Sequence, residues 1–197
     1  MVFSDASFLF LFLPVALAIS LAFYRIAFAP AVLALSLVFY YWTAGAATLI
    51  LLFSILVNYL GGLALTRKPT RPALVLFVAI DLMLLVYFKY AGFLAINFDT
   101  LAGTNLAQLL GTITLPIGIS FFTFQGISYL IDVYRGDVVA EPSFIVFGAY
   151  KAFFPQLIAG PIVRYRDVSE DFHKPRASWS AGGSVLRIGL LHLEKGP

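Results

Sequence analysis

The sequence contains no cysteine. That excludes disulfides, thiolate metal sites and cysteine nucleophiles, and it leaves the redox compartment unread. Histidine is almost missing too: His173 and His192 are too few and too far apart for a metal site, so none is expected. Charge is scarce. Only 12% of residues are Asp, Glu, Lys or Arg, against about 25% in an ordinary soluble domain. Alternating apolar and polar segments are absent from runs such as "ALVLFVAIDLMLLVYF", which argues against a membrane β-barrel. No hydrolytic triad, phosphate-binding loop, dinucleotide fingerprint, internal repeat or low-complexity tract is present, and no nucleic-acid partner is expected.

What remains is oil. The chain is 61% hydrophobic, with a mean hydropathy of +0.94, and its apolar residues come in long runs. This composition predicts an all-α integral membrane protein whose first partner is the lipid bilayer. The first run, about Phe8 to Tyr24, has no basic residue before it and Arg25 after it, so it reads as a retained helix rather than a signal peptide. A short apolar piece, Ala31 to Trp42, is either a tilted half-span or is completed by "TAGAA". Ala47 to Leu65 and Ala73 to Tyr90 are long enough to cross, with the basic loop "TRKPTRP" between them. Ala91 to Gly111 reads as a loop without lysine or arginine. A further apolar segment, Leu115 to Gly136, enters the membrane after it.

The excess of basic residues on cytoplasmic loops orients these segments. Arg25, the 67–71 cluster and Arg135 should be cytoplasmic, and the N-terminus and the 91–111 loop outside. Alternation holds if 31–65 makes a net pair of crossings. It fails once, because a straight span over 143–163 would carry Arg164, Arg166, Lys174 and Arg176 outward. The segment 144–163 is therefore expected to dip in and return, or to break. Residues 1–166 form the membrane domain and 167–197 a polar cytoplasmic tail, where Ser178 or Ser180 could cap a short helix through Leu191.

Polar residues inside these runs need partners. On a helix over "LPIGISFFTFQGISYLIDVYRG", residues Gly118, Gln125, Tyr129, Asp132 and Gly136 fall in one narrow arc bordered by Ser128. Arg135 is a possible helical partner for Asp132. The arc faces either a neighbouring helix or a substrate passage. Asp81 sits at the centre of its run, where insertion costs about +2.5 to +3.5 kcal/mol, so it must face the interior, as a functional group or as a satisfied acceptor. Lys89 is free to snorkel outward. Asn58, one turn after Ser54, reads as helix-packing glue. In "FFPQLIAGPIVRYRD", Pro155, Gly160 and Pro161 do not suit a continuous helix. With Gln156 between them and Arg164 and Arg166 following, the stretch is a kinked helix with interfacial arginines, or an entrance facing phosphates.

"LPIGISFFTFQGISYLIDVYRG" and "FFPQLIAGPIVRY" closely resemble the membrane-bound O-acyltransferase family, most of all the bacterial branch of alginate O-acetylation and teichoic-acid D-alanylation. "YFKYAGF" and "MVFSDASFLFLFLPV" are similar to the alginate-type members. The resemblance runs from residue 1 to about Ile188. It implies a ring of tilted helices around a tunnel, of which this chain is a part with re-entrant or broken segments, in a multi-pass protein of the bacterial inner membrane. It implies acetyl transfer from acetyl-CoA or another cytoplasmic donor, with no bound cofactor, to periplasmic acetyltransferase partners that modify an exported polysaccharide such as alginate. Gln125, Tyr129 and Asp132 would then lie near the tunnel. Gln156, Pro161, Arg164 and Tyr165 would lie at its cytoplasmic approach.

The chain also departs from the family. Members are much longer, and their essential histidine lies in a part this chain does not contain. Neither His173 nor His192 matches it, so no catalytic residue is assigned. The end, "IGLLHLEKGP", departs from the expected continuation after Arg187. It reads as a frameshift or premature stop, leaving a chain inactive alone. The other function classes are a non-catalytic membrane scaffold for a partner acetyltransferase and a small transporter.

Overall fold

Uninterrupted apolar runs form helices because a backbone in lipid must satisfy its own hydrogen bonds. Glycine and proline set where those helices end. A computed structural model describes residues 8–23, 27–105, 108, 114–157 and 163–173. Arg25, Gly160, Pro161, Lys174, Arg176, His192 and the expected cap at Ser178 or Ser180 lie outside the described residues.

A π-helical turn over Phe8–Phe12 leads into α1 (Leu13–Ala22). Then come α2 (Phe28–Ala44), a 3-10 turn (Gly45–Ala47) and α3 (Thr48–Arg67). The piece expected at 31–42 is longer than that. α2 has 17 residues, about 25 Å at 1.5 Å per residue, and "TAGAA" is where the helix bends. Gly45 makes the bend with φ 58° and ψ −128°, a backbone open to glycine and strained for other residues. A Cβ there meets nothing within 4 Å. Gly45→Ala should therefore carry backbone strain alone, about 1–3 kcal/mol, read as a lower thermal midpoint in detergent with the helical circular dichroism unchanged.

After the basic loop, α4 runs from Arg71 to Ala102 with a proline in its first turn and Gly103 in the left-handed region at its end. The loop expected over 91–111 is thus corrected: its first dozen residues are helical. The polar residues of this stretch are satisfied within the helix. Asn97 donates to the Phe93 carbonyl at 2.7 Å and Thr100 to the Ile96 carbonyl at 2.8 Å, so neither terminates it.

The chain continues through α5 (Ile119–Arg135), α6 (Phe144–Lys151), α7 (Phe154–Leu157) and α8 (Tyr165–His173). α8 spans the position 166/167 where the polar tail was expected to begin. α5 is shorter than the 22-residue stretch that suggested it (Leu115 to Gly136). Gly118 and Gly136 are its caps, both at positive φ, rather than members of its buried stripe. At its end Asp137 N–H bonds the Asp132 carbonyl and Gly136 N–H the Val133 carbonyl, a Schellman closure.

The segment after Ser143 does not cross as one straight helix. α6 holds eight residues, about 12 Å, and ends at Lys151; the chain turns through Ala152 and Phe153 into the single turn of α7. The two limbs are tied to each other. Tyr150 Oη donates to the Val163 carbonyl at 3.0 Å, and Tyr165 Oη donates to Glu141 Oε2. The residue just before the segment thus bonds one just after it, so the two ends of the segment lie together.

α5 packs against α3 and α4, α6 against α2, and α8 against α6. Leu51, Ile55, Phe122, Leu130 and Phe147 form the centre of this packing. The outside is at least as apolar as the centre: Leu49, Val75, Met83, Phe93 and Leu101 are exposed, while Ser54, Asn58, Asp81, Gln125, Asp132 and Lys151 are buried. Water would reverse that distribution; a bilayer produces it. The helical stretch Phe28–Arg67 and α4 over Arg71–Leu101 are each long and apolar enough to cross. The protein is an all-α membrane protein, and the described residues contain no strand.

Candidate functional site, a buried polar seam

α3 carries Ser54 and Asn58 on one face, a helical turn apart. α4 brings Asp81 to that face, and α6 ends on it with Lys151. All four are at most 1% exposed. Asn58 Nδ2 donates to Asp81 Oδ2 at 2.6 Å. Lys151 Nζ donates to Asn58 Oδ1, to the Ser54 carbonyl at 2.9 Å and to Ser54 Oγ at 2.8 Å. Asp81 Oδ1 is buried with no hydrogen-bond partner among the described residues, although Ser54 lies beside the same carboxylate. Gly126 of α5 completes the seam by having no side chain, since a Cβ there would lie 1.6 Å from Asn58 Oδ1.

A second cluster surrounds Glu141. Its backbone N–H donates to Tyr129 Oη at 3.1 Å, its Oε1 accepts from the Ser143 N–H at 2.9 Å, and its Oε2 accepts from Tyr165 Oη. The Tyr165 ring stands 5.4 Å from Tyr129 and 5.0 Å from Tyr150, edge to face in both cases. Burial, and then the bond to Glu141, raise the Tyr165 phenol above its ordinary value, so it stays a donor at neutral pH. Tyr165→Phe removes that donor and should cost about 1–3 kcal/mol, seen as an earlier thermal transition. Tyr59→Phe is the control: its hydroxyl bonds the Pro142 carbonyl in an exposed position, and the change should stay within about 0.5 kcal/mol.

The residues expected from the sequence divide between these clusters and their surroundings. Gln125, Tyr129 and Asp132 are buried on α5, as the arc predicted. Gln125 Nε2 reaches the Tyr150 carbonyl only at 3.5 Å, and Asp132 Oδ2 is buried without a partner among the described residues. Arg135 forms no ion pair with Asp132; the expected helical partnership is not made, with Arg135 exposed and Asp132 buried. Gln156 is half-buried on α7 with Nε2 unpartnered among the described residues. Arg164 is exposed, Tyr165 joins the Glu141 cluster, and Pro161 lies outside the described residues. Asn58 and Asp81 meet each other, and Lys89 stays exposed over the Tyr90 ring at 5.5 Å.

Sequence reasoning missed Lys151 and Glu141. Lys151 had a signal: it is the one charged residue between Ser143 and Val163, and an isolated lysine in such a run needs an acceptor. Glu141 had none, because a carboxylate in a loop before proline is ordinarily solvated.

The probable alginate O-acetylase AlgI of Pseudomonas aeruginosa is 40% identical over 183 residues, 88% of this chain and 35% of that protein. The corresponding protein of Pseudomonas syringae pv. tomato is 39% identical over 182 residues, again 88% of this chain and 35% of that protein. This chain is a homologue of the alginate O-acetylases. The peptidoglycan O-acetyltransferase of Helicobacter pylori is also similar, at 30% identity over 178 residues, 72% of this chain and 33% of that protein. The homology bears out the resemblance to the membrane-bound O-acyltransferase family seen in the motifs. No family model and no solved structure matches the chain. The chain spans about a third of the length of the curated relatives it matches.

Proposed function

We propose that this homologue of the alginate O-acetylases forms part of an O-acetyltransferase in a bacterial inner membrane, spanning it several times and passing acetyl toward an exported polysaccharide such as alginate. The carrying observation is the 40% identity over 88% of the chain to a probable alginate O-acetylase. Acetyl-CoA or another cytoplasmic acyl donor supplies the group, and periplasmic acetyltransferases receive it. Gln125, Tyr129 and Asp132 belong to the wall of the acyl passage, and Gln156, Pro161, Arg164 and Tyr165 to its cytoplasmic approach.

Unsatisfied polar atoms favour two of these for substrate contact. Asp132 Oδ2 and Gln156 Nε2 are buried without partners among the described residues, and a buried polar group ordinarily has one. Tyr129 and Tyr165 have hydroxyls already engaged by Glu141, so their part is to shape the wall.

The test is a chimera in which this chain replaces the matching segment of the Pseudomonas aeruginosa relative, with alginate acetylation as the readout. Restored acetylation supports the reading; a well-expressed chimera that leaves alginate unmodified rejects it. Acetylation by the 197-residue chain alone would put the general base inside these residues. For the orientation, Arg166→Cys should react with an impermeant maleimide in inside-out vesicles only. Labelling in intact cells would place the neck of the re-entrant segment on the opposite face.

A further inference from the structure

Three oxygens surround Lys151 Nζ: the Ser54 carbonyl, Ser54 Oγ and Asn58 Oδ1. Two of them have no proton to give, so the amine donates to both; Ser54 Oγ takes the third N–H when the group is an ammonium, the form whose charge the Asp81 carboxylate balances. In that form it has no lone pair for nucleophilic attack and no N–H left for a substrate. Its role must lie in its charge and its place. The place is the tip of α6, where the chain turns back. The charge has one buried carboxylate near it, Asp81, and the two do not touch: no salt bridge joins them among the described residues.

Asn58 lies between. Its amide oxygen faces the ammonium and its amide nitrogen faces the carboxylate. Turning the amide over would set a donor against the ammonium and an acceptor against the carboxylate, so the two charges dictate the amide's orientation. Gly126 closes the remaining side.

We infer that Lys151, Asn58 and Asp81 act as one charge-neutral clamp, with the amide relaying the ion pair, and that the clamp holds the tip of α6, where the chain turns, against α3. Lys151 and Asp81 are positioning residues. The negative charge can be moved within the unit but not removed from it. This holds whether or not the chain transfers acyl groups.

The arrangement supplies an isosteric test. Asn58→Asp alone sets two carboxylates against one ammonium. Asp81→Asn alone leaves the ammonium without any carboxylate. Together they restore the charge count: the carboxylate at 58 faces Lys151 directly and the amide at 81 donates back to it. The chain has no cysteine, so Ala152→Cys, at a site 0% exposed next to the tip, gives a single maleimide target whose labelling rate reports opening. Expected is slow labelling in the otherwise unchanged chain, about tenfold faster labelling in each single variant, and a return to within about twofold in the double variant. Where a single variant fails to accumulate in membranes, recovery of its abundance in the double variant is the expected result. The clamp is overturned if Asp81→Asn labels no faster than the parent and accumulates equally well, or if the double variant is no better than the singles.

Discussion

Gly126→Ala should remove most of the folded protein. The added methyl would stand 1.6 Å from Asn58 Oδ1, 2.7 Å from Asn58 Cγ and 2.9 Å from Lys151 Nζ. Asn58 has no room to yield, because its two amide ends are held by Asp81 and Lys151. Either α5 moves off α3, or Asn58 rotates and leaves two buried charges without their bridge. Uncompensating one partner of a buried pair costs about 3–5 kcal/mol, a large part of a stability of about 5–15 kcal/mol. In detergent, the monodisperse fraction after a thermal ramp should collapse. Gly92→Ala is the matched control. Its Cβ meets nothing within 4 Å, and alanine in a helix is better than glycine by about 0.5–1 kcal/mol, so that variant should be neutral or slightly more stable.

Gly118→Ala should be nearly as damaging, for a different reason. Gly118 has φ +77°, and a Cβ there would lie 2.3 Å from the Leu157 carbonyl oxygen. The obstacle is backbone, not a side chain that can swing aside. The preceding residue is also tied, since Tyr40 Oη donates to the Ile117 carbonyl at 2.7 Å. The start of α5 would have to part from the end of α7. Gly136→Ala separates the two components of the effect. Gly136 has φ +78° but open space where a Cβ would go, so it carries the left-handed strain alone, about 1–3 kcal/mol. The thermal midpoint of Gly118→Ala should fall well below that of Gly136→Ala; equal midpoints would show that the close approach to Leu157 does not matter.

Much of the fold was legible because lipid leaves few alternatives. Long apolar runs had to be helices, and the arc of Gln125, Tyr129 and Asp132 had to face inward, as it does. The charge conflict at Arg164 and Arg166 required the segment before them to break, and it turns after Lys151. One error was the loop over 91–111, read for its lack of lysine and arginine: its first dozen residues are helical, and Asn97 and Thr100 are satisfied on that helix. The pairing of Asp132 with Arg135 followed from helical spacing, which ignores that one residue faces the core and the other solvent. The candidate site was half legible. Asp81 and Asn58 stood out as costly groups needing partners, but the partner lies 93 residues from Asn58 in sequence, and spacing says nothing at that range.

The sequence by itself determined that this is a helical membrane protein and which polar groups must be hidden, because burial of charge in lipid is costly whatever the topology. Its motifs also carried the resemblance to the membrane-bound O-acyltransferases, since four segments in order are similar to alginate-type members. Only the tertiary structure decided which hidden group meets which. Asp81 could have faced a passage, a lysine or water. The close crossing of α3 and α5, allowed by Gly126, and the return of α6 toward α3 settle it in favour of Asn58 and, through it, Lys151. Partner choice is a long-range geometric fact, fixed by how backbones approach, and no local pattern encodes it.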